Sequence, residues 1–378
     1  MGLELLTIHD AKDFYALRNE WNDLLEKSDQ NTIFLRWEWL YTWWQVYGTG
    51  SNQLCIYIVK EDGRLVAIAP FYRTRKYIFF SELRFLGSNV ICSDYLNIIL
   101  IKNKEETLMD FILPALDGMK NWDALELKNI ISSSGSVSAV ESFFKRRGYM
   151  TSLDREYTVC PYIYLKSPWE SINDSFSSKI RNIISRKSKK LEKSYTVSYY
   201  NVKSNEDIKK YLPDFVRLSR LRFNQKKMRS PFMDEKFYAF HKKIISELAK
   251  KEMVKFDFLK VNDTLIASTY MFRYNKRDYY YQSGFDPDWD SYSPGTLLFY
   301  HSIKNAHDTG IEEYDFLQGD ENYKSKWTER FRYCSKLRII NNQHPGGVWL
   351  LHMESLMSAI KKMIKFIVSK ESFAANHG

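Results

Sequence analysis

Two stretches of the chain, residues 54–72 and 254–272, have the pattern of the same β-hairpin. Each consists of two runs of alternating apolar residues around a short polar turn, Glu61-Asp62-Gly63 in the first and Asn262-Asp263 in the second. Three residue types recur at one spacing in both stretches: Lys60, Leu65 and Ala67 against Lys260, Leu265 and Ala267. Similarity within one chain at a long period indicates a duplicated unit.

The elements around the two hairpins follow one order. An aromatic, helix-like stretch precedes each hairpin (residues 33–47 and 231–248), and a helix followed by a short apolar strand comes after each (residues 105–127 and 296–317). One such hairpin can arise by chance, but four elements in matched order favour duplication. The pattern therefore predicts an α/β (α+β) fold made by tandem duplication of two domains.

The length of 378 residues suits two domains better than one. We place an N-terminal domain at residues 1–158, a C-terminal catalytic domain at 159–345, and an amphipathic helix and tail at 346–378. The N-terminus lacks the basic segment of a signal peptide, and no stretch reaches the roughly 20 apolar residues that span a bilayer. We therefore expect a cytoplasmic protein.

The net charge of +10 favours an acidic partner, which can be nucleic acid, an anionic membrane surface or a phosphate-bearing small molecule. Charge alone does not choose among these three. The four cysteines, Cys55, Cys92, Cys160 and Cys334, contain no CxxC pair, so the sequence predicts neither a disulfide framework nor a metal site.

A helix start in the second half has the composition of a phosphate site. Ser293 suits an N-cap, Pro294 suits the first helical position, and Gly295 leaves the backbone open. Unpaired N–H groups and the helix dipole bind anions at such a terminus. The alternative is a capped helix without a ligand, since such starts are common.

A cluster of polar residues follows the last apolar strand of the repeat. Residues 314–317 read as a buried strand, and the segment after it, residues 318–327, is rich in Asp, Glu, Tyr and Lys. Functional groups of α/β folds gather at the carboxyl ends of buried strands. This cluster is therefore the candidate active site.

Six segments, SGFDP, SPGTLL, YDFLQGDENYKSKW, PFY, LRFLGS and SDYLNIIL, together resemble the GNAT-like acyltransferases of the cellulose-biosynthesis CelD type, relatives of the Fem peptidoglycan ligases. The resemblance runs from about Phe34 to Trp327. It implies two GNAT-like acyltransferase domains. In the first, no Gly-Asp-Glu-x-Tyr-Lys cluster follows the strand at residues 123–127, and Glu105 and Glu106 would repel an anionic donor from the helix start there. We therefore expect the first domain to be degenerate and to form the acceptor cleft.

The resemblance also implies an acyl-CoA donor, with acetyl-CoA as the first choice, whose arm is lined by Gln282 and Gly284. The donor phosphates would meet Ser293, Gly295 and Thr296.

The same resemblance implies N-acyl transfer to an amine of a sugar or amino sugar used in surface polysaccharide biosynthesis. Asp315 or Glu321 would take the amine proton, Tyr323 would return one to the thiolate, and Lys324 would hold a negative charge. Backbone N–H groups near residues 283–284 would stabilise the oxyanion. The expected acceptor-binding residues are Arg181, Arg186, Asp94, Tyr95, Gln318 and Trp327.

Residues 290–296 contain a single glycine, whereas the usual GNAT phosphate loop contains several. A Fem-like ligase that uses aminoacyl-tRNA is therefore an alternative, although the long helical arm of those proteins is missing from residues 204–250. A non-catalytic scaffold of a polysaccharide-synthesis complex is the other alternative.

Two amphipathic helices offer further contacts. The helix at residues 177–191 has a dense basic face, which suits either solvent or a polyanion, with tRNA possible and DNA not expected. The helix at residues 348–368 has an apolar stripe and several lysines. Such a stripe can pack on its own domain or make peripheral contact with an anionic membrane.

Overall fold

The structure is a computed structural model that describes residues 2–88, 93–357 and 360. The elements of the first half are, in order, β1 (Leu3–Ile8), α1 (Ala11–Ala16), α2 (Arg18–Glu26), α3 (Trp37–Tyr47), β2 (Gln53–Glu61), β3 (Arg64–Lys76), β4 (Phe80–Phe85), β5 (Ile99–Leu100), α4 (Glu105–Asp117), β6 (Ala124–Ile131) and α5 (Gly135–Arg146).

A long strand, β7 (Met150–Tyr164), leads into the second half. The elements that follow are α6 (Trp169–Ser175), α7 (Ser178–Ser194), β8 (Val197–Val202), α8 (Asn205–Gln225), α9 (Glu235–Ala249), β9 (Val254–Val261), β10 (Thr264–Tyr274), β11 (Arg277–Phe285), α10 (Pro294–Asp308), β12 (Glu313–Asp315) and β13 (Phe331–Ile340). Short 3-10 turns lie at Ile33–Leu35, Pro231–Met233, Pro287–Tyr292 and Lys324–Lys326.

The described strands form one sheet in the order β1-β2-β3-β4-β6-β13-β7-β12-β11-β10-β9-β8, with β5 paired to β3 beside this path. The two ends of the sheet repeat one arrangement. Three antiparallel pairings are followed by a parallel one, β4 with β6 in the first half and β11 with β12 in the second. A helix, α4 or α10, crosses over between the parallel strands, as such a pair requires. The predicted tandem duplication in an α/β fold is confirmed.

The duplicated hairpins, β2–β3 and β9–β10, share one irregularity of register. Val66 in the first hairpin is an extra residue beside the pairing of Lys60, and Ile266 in the second is an extra residue beside that of Lys260. A β-bulge of this kind leaves one residue unpaired and bends the strand. Both extra residues are buried. The residue spacing that recurs in the sequence therefore reflects a bulge that directs an apolar side chain into each core.

The two halves share strands instead of meeting at a linker. β7 pairs with β13 along residues 150–161 and with β12 along residues 162–164. β13 comes last in the chain among these strands, yet it lies in the sheet between β6 of the first half and the shared strand β7. The predicted boundary between residues 158 and 159 thus falls inside a strand that serves both halves. The boundary between the two copies of the sequence repeat therefore does not coincide with a break in the sheet.

Helix α3 fills the contact between the halves with aromatic rings. Trp39 lies 5.1 Å, between ring centres, from both Phe240 of α9 and Phe272 of β10. Phe34, just before α3, lies 5.7 Å from Tyr279 of β11. Edge contacts between rings at these separations add to the burial of apolar area. The core of the molecule is therefore continuous across the two halves.

A buried carboxylate on α3, Glu38, gathers cations from both halves. Its oxygens lie 3.1 Å from Arg36 Nε and 2.9 Å from Lys251 Nζ, which follows α9. Burial alone raises the pKa of a carboxyl, but these cations outweigh it and lower the pKa of Glu38 to about 2. Glu38 is thus ionised at neutral pH and joins α3 to the end of α9.

Residues 345–357 are helical and pack on the first half through Leu350, which is buried with Phe80 and Ala124. The rest of the predicted C-terminal helix and tail, residues 358–359 and 361–378, lies outside the described residues, as does Cys92. None of the helices that the structure describes is long and apolar enough to cross a membrane.

Helix α8 approaches β11 more closely than a side chain would allow. A Cβ atom built on Gly284 would lie 2.2 Å from the backbone nitrogen of Ser219 and 2.3 Å from the carbonyl carbon of Leu218. Both are backbone atoms, so neither can rotate away. The absence of a side chain at position 284 is therefore a condition for this packing.

We expect Gly284→Ala to lower the free energy of unfolding by about 2 kcal/mol or more, because α8 must shift away from the sheet. Urea denaturation of the purified variant measures this. Gly295→Ala is the matched control, since the nearest atom to its added Cβ is a ring carbon of Phe285 at 3.8 Å. Equal stabilities of the two variants would contradict the argument.

Candidate functional site

The second half contains a strand edge that is open on one side. β11 and β12 pair only over residues 277–279 and 313–315, and β11 then continues to Phe285 with β10 on its other side. The chain after β12 turns instead toward β7, where the N–H groups of Phe316 and Gly319 donate to carbonyls at 3.0 and 2.9 Å. An unpaired edge presents N–H and C=O groups. The backbone from residue 280 onward therefore faces a gap between two diverging strands.

A cavity of about 730 Å³ lies beside this gap. Helix α8 and the turn at Pro231–Met233 form one wall, and the diverging chains form the other. Polar residues from both halves of the molecule reach it. The residues predicted from sequence that line it are Asp94, Gln282, Gln318, Glu321, Tyr323 and Lys324.

Asp94 is the contribution of the first half to this cavity, and its side chain is buried. One carboxylate oxygen, Oδ2, accepts the N–H of Gln318 at 2.9 Å. The other, Oδ1, has no hydrogen-bond partner among the described residues. Burial raises the pKa of Asp94 to about 7, and the charge of nearby Asp315 acts in the same direction. Asp94 therefore changes charge near neutral pH.

Tyr95, the next residue, faces a second cavity of about 690 Å³. Its φ of 55° is left-handed, which an aromatic residue rarely adopts. Its hydroxyl donates to Asp315 Oδ1 at 3.0 Å. Of the predicted pair, Asp94 thus lines the first cavity and Tyr95 lines the second. Glu105 and Glu106 at the start of α4 line the second cavity.

Asp315, predicted as a candidate base, lies behind the wall of the first cavity and is fully buried. Besides the Tyr95 hydroxyl, Oδ1 accepts the N–H of Leu317 at 2.8 Å, and Oδ2 lies 4.0 Å from Arg332. Burial raises the pKa of Asp315 to about 6, against the influence of Arg332. These contacts suit a group that fixes the chain after β12 and not one that touches a substrate.

Lys324 is a buried lysine in the turn after this strand. Its ammonium lies 2.8 Å from the Gln318 carbonyl oxygen, 3.4 Å from that of Leu317, and 2.8 Å from Glu321 Oε2. A buried cation is costly unless it is paired. The oxygens around it therefore fix one positive charge at the cavity wall, while Glu321 itself is exposed.

The opposite wall contains a residue that the sequence analysis missed, Arg222 of α8. Its guanidinium donates to the carbonyl oxygen of Ser283 at 3.2 Å and to the hydroxyl of the same residue. The Tyr280 hydroxyl donates to the Ser283 hydroxyl at 2.5 Å. The sequence contained one signal for it: Arg222 is a charged residue at helical spacing on the same face of α8 as the buried Phe215 and Leu218.

Tyr323 lines the cavity between these walls. Burial, and next the neighbouring Tyr280, raise the pKa of Tyr323 far above its usual range. The phenol is therefore protonated at neutral pH and can donate a hydrogen bond.

Helix α10 begins at Pro294, as predicted, but Ser293 does not cap it with its side chain. Ser293 is left-handed, with φ 55° and ψ 50°, and its N–H donates to the Asp290 carbonyl oxygen at 2.9 Å. The predicted side-chain cap is wrong because Ser293 closes the preceding turn, Pro287–Tyr292. The first turn of α10, with Gly295 and Thr296, remains without a side-chain cap.

Charges of both signs surround this helix start. Lys187 of α7 donates to the Ser291 carbonyl oxygen, and the Lys190 ammonium lies 4.7 Å from the centre of the Tyr292 ring. The segment before α10 carries three carboxylates, Asp286, Asp288 and Asp290. The basic face of α7 thus borders the predicted phosphate site.

The remaining predicted residues lie elsewhere. Arg181 forms an ion pair with Asp174 at 2.9 Å, and Arg186 is exposed on α7. Trp327 is buried, with its ring centre 5.2 Å from that of Phe176. Gly284 contacts the backbone of α8 as described above. The structure therefore gathers the cluster after β12 with Asp94 and Gln282, and it leaves Trp327 in the core.

Residues 178–325 match the family model described as the acetyltransferase (GNAT) domain. No match to the chain is found among curated proteins. Among solved structures, FemX superposes with a TM-score of 0.61 at 10% identity, covering 90% of this chain and 98% of that one.

Two further structures are similar over the same extent. A conserved protein of unknown function from Bacteroides thetaiotaomicron has a TM-score of 0.56 at 12% identity, with 89% of this chain and 100% of that one covered. The C-terminal domain of a putative lysylphosphatidylglycerol synthetase from Agrobacterium fabrum has a TM-score of 0.52 at 10% identity, with 92% and 98% covered.

At these identities the likeness concerns the fold, and the narrower resemblance to the CelD type stays a prediction. The matched region extends from α7 to the turn at Lys324 and contains the open edge of β11. Residues 178–325 are thus similar to an acetyltransferase domain of the GNAT type, within a chain whose fold is similar to that of FemX.

Proposed function

We propose that the protein is an N-acyltransferase that moves an acyl group from acyl-CoA to an amine of a sugar or amino sugar in surface polysaccharide biosynthesis. The observation that carries the proposal is the open edge of β11 beside the 730 Å³ cavity. An extended thioester arm can add to such an edge by backbone hydrogen bonds, in the way that a peptide strand does. The sugar acceptor rests on the resemblance of the sequence motifs.

The reaction needs one bond made and one broken. The amine nitrogen attacks the thioester carbonyl carbon, the oxygen becomes an oxyanion, and the C–S bond then breaks. Holding the amine and the thioester together supplies much of the rate enhancement. N–H groups on the open edge near Ser283 stabilise the oxyanion, and Lys324 adds positive charge at the same wall.

Asp94 is the carboxylate best arranged to take the proton from the amine. Its Oδ1 has no hydrogen-bond partner among the described residues, and its side chain lines the cavity. Glu321 pairs with Lys324, and Asp315, whose Oδ2 is also without a hydrogen bond, holds Tyr95 and is not among the residues that line the cavity. A carboxyl with a pKa near 7 is matched to proton transfer at neutral pH. Tyr323 gives its proton to the leaving thiolate and takes one back from Asp94, so that the proton lost by the amine ends on the thiol and both side chains return to their starting states. Asp315 then acts as a positioning residue.

The phosphates of the donor would meet the uncapped start of α10 and Lys187. The N–H groups of Thr296 and Leu297 already donate to the Ser293 carbonyl oxygen at 3.0 and 3.2 Å. The Gly295 N–H and the helix dipole would favour an anion there, and Gly295 leaves room for it. The basic face of α7 continues away from this point. A longer polyanion, aminoacyl-tRNA, is therefore the alternative donor.

One assay separates the candidate functions. Free thiol release is measured with a panel of acyl-CoA donors and amino sugars, beside transfer from charged tRNA to the same acceptors. Thiol release that depends on the acceptor supports the proposal. Transfer from tRNA alone would replace the donor, and inactivity with both would favour a scaffold.

We expect Lys324→Met to lower kcat by a factor of about 100, because the fixed charge at the oxyanion is lost. Steady-state kinetics with acetyl-CoA measures this. Lys326→Met, the same change in the same turn, is the control and should keep kcat near that of the wild type. Similar losses in both variants would indicate damage to the turn and not a role for Lys324.

The activity should fall as pH falls through about 7, because Asp94 accepts a proton only when ionised. Asp94→Asn should remove most of the activity. A second readout is stability. Since the folded pKa lies above the unfolded value of about 3.9, the contribution of Asp94 to stability is lost as pH rises from about 4 to 7. Asp94→Asn should therefore lose less stability over this range than the wild type, and the loss that remains includes that of Asp315, whose pKa is also raised. A flat kcat/KM profile from pH 6 to 8 would remove Asp94 from the mechanism.

Gly295→Asp should weaken donor binding more than tenfold, or about 1.4 kcal/mol, by placing bulk and negative charge at the start of α10. Calorimetric titration with acetyl-CoA measures this, and Gly295→Ala is the neutral control. Lys187→Ala should weaken binding in the same direction, whereas Lys189→Ala on the same helix should not. Unchanged affinity in folded Gly295→Asp would place the phosphates elsewhere.

A further inference from the structure

The hairpin between β3 and β4 ends in three exposed apolar residues. Ile78 is 77% exposed and Phe79 is 78% exposed, and Tyr77 precedes them. Tyr77 and Ile78 adopt φ values of 50° and 70°, where glycine or asparagine is favoured and a β-branched residue is strained. Turn geometry therefore does not explain why these residue types occupy the tip.

The helix at residues 345–357 exposes a second apolar surface beside this tip. Its inner face holds Leu350 in the core and pairs Glu354 with Lys76 at 2.6 Å. Its outer face carries Trp349, which is 67% exposed, and Leu356, which is 58% exposed, with Met353 between them. These positions recur at helical spacing. Over the described residues, the apolar stripe thus faces away from the protein.

The two surfaces form one patch. A groove of about 500 Å³ is lined by Tyr77 and Phe79 from the hairpin together with Trp349 and Met353 from the helix. The hairpin–helix patch comprises Tyr77, Ile78, Phe79, Trp349, Met353 and Leu356. Contiguous exposed apolar surface of this kind marks an interaction site.

Most of the charged side chains described beside the patch are paired with one another, and Arg75 is the exposed basic residue. Arg75 and Lys76 lead into the hairpin tip, and Arg75 is exposed. The carboxylates that lie near are already paired: Glu354 accepts from Lys76 and from Arg338 at 2.7 Å, and Asp123 lies 2.6 Å from His344 Nδ1. Because Lys76 and Arg338 are in turn neutralised by Glu354, the surface that remains for a partner is apolar, with Arg75 as its exposed cation.

We propose that the hairpin–helix patch docks the protein on an anionic lipid membrane. An amphipathic helix can lie in the plane of the interface with its apolar face toward the acyl chains, while basic residues meet anionic headgroups. The projecting side chains of Ile78 and Phe79 suit insertion between lipids, and Trp349 and Tyr77 are residue types that favour the interface. The inference goes beyond the proposed function and does not depend on the identity of the donor.

The test uses the full chain and flotation with vesicles of phosphatidylcholine, with and without phosphatidylglycerol. We expect binding to the anionic vesicles that weakens at high salt. The double variant Ile78→Ser/Phe79→Ser and the variant Trp349→Ser should each reduce the bound fraction about tenfold. Phe331→Ser is the matched control, since Phe331 is 52% exposed and lies outside the patch.

Circular dichroism confirms that the variants are folded, which the exposure of the replaced side chains leads us to expect. Absence of binding to anionic vesicles would overturn the proposal. So would binding that the patch variants leave unchanged. Concentration-dependent dimers, lost in the patch variants and accompanied by no vesicle binding, would assign the patch to a second copy of the chain instead.

Discussion

The fold depends on the pairing of one strand, β7, with two strands that come late in the chain, β13 and β12. Its first portion holds β13, and its last three residues hold β12. Because β12 is anchored to β7, the chain that follows it bends away from β11, and the edge of β11 opens. Backbone hydrogen bonds of the sheet thus determine the position of the gap, and side chains only line it. The strand that both halves share is therefore also what creates the gap at the candidate site.

The same junction explains where the perturbed charges lie. Asp94 comes from the first half, and Asp315 and Lys324 come from the second, yet the three are coupled through the Gln318 backbone and the Tyr95 hydroxyl. Low-dielectric surroundings strengthen each of these interactions and raise the carboxyl pKa values. Without the first half, the second half would keep the open edge of β11 but would lose the charge of Asp94 and the hydrogen bond from the Tyr95 hydroxyl to Asp315. The first half is therefore part of the candidate site, although the repeat makes it look like a degenerate copy.

Much of the fold could be predicted because it is local. The hairpins follow from alternation and turn residues, and even the shared bulge left a trace in the spacing of Lys60 and Lys260. The cluster after β12 was also visible in sequence, since Glu321, Tyr323 and Lys324 are close along the chain. The sharing of β7 by the two halves could not be predicted, because no local sequence pattern encodes which distant strand β13 pairs with. The helical spacing of Arg222 was visible, but no local pattern shows which edge of the sheet α8 faces. The two orientations of Asp94-Tyr95 were missed for the same reason. The cap at Ser293 was wrong because its backbone conformation follows from the preceding turn.

The position of β13 has a consequence for the order in which the polypeptide is made. A ribosome releases the chain from its N-terminus, and domains that are complete can fold while synthesis continues. Here β6 and β7 emerge early but flank a vacancy that only residues 331–340 can fill. Two unpaired strand edges therefore persist until residues 331–340 have left the exit tunnel. Nascent intermediates of this protein should therefore expose edges that can aggregate until β13 emerges, however stable the finished molecule is.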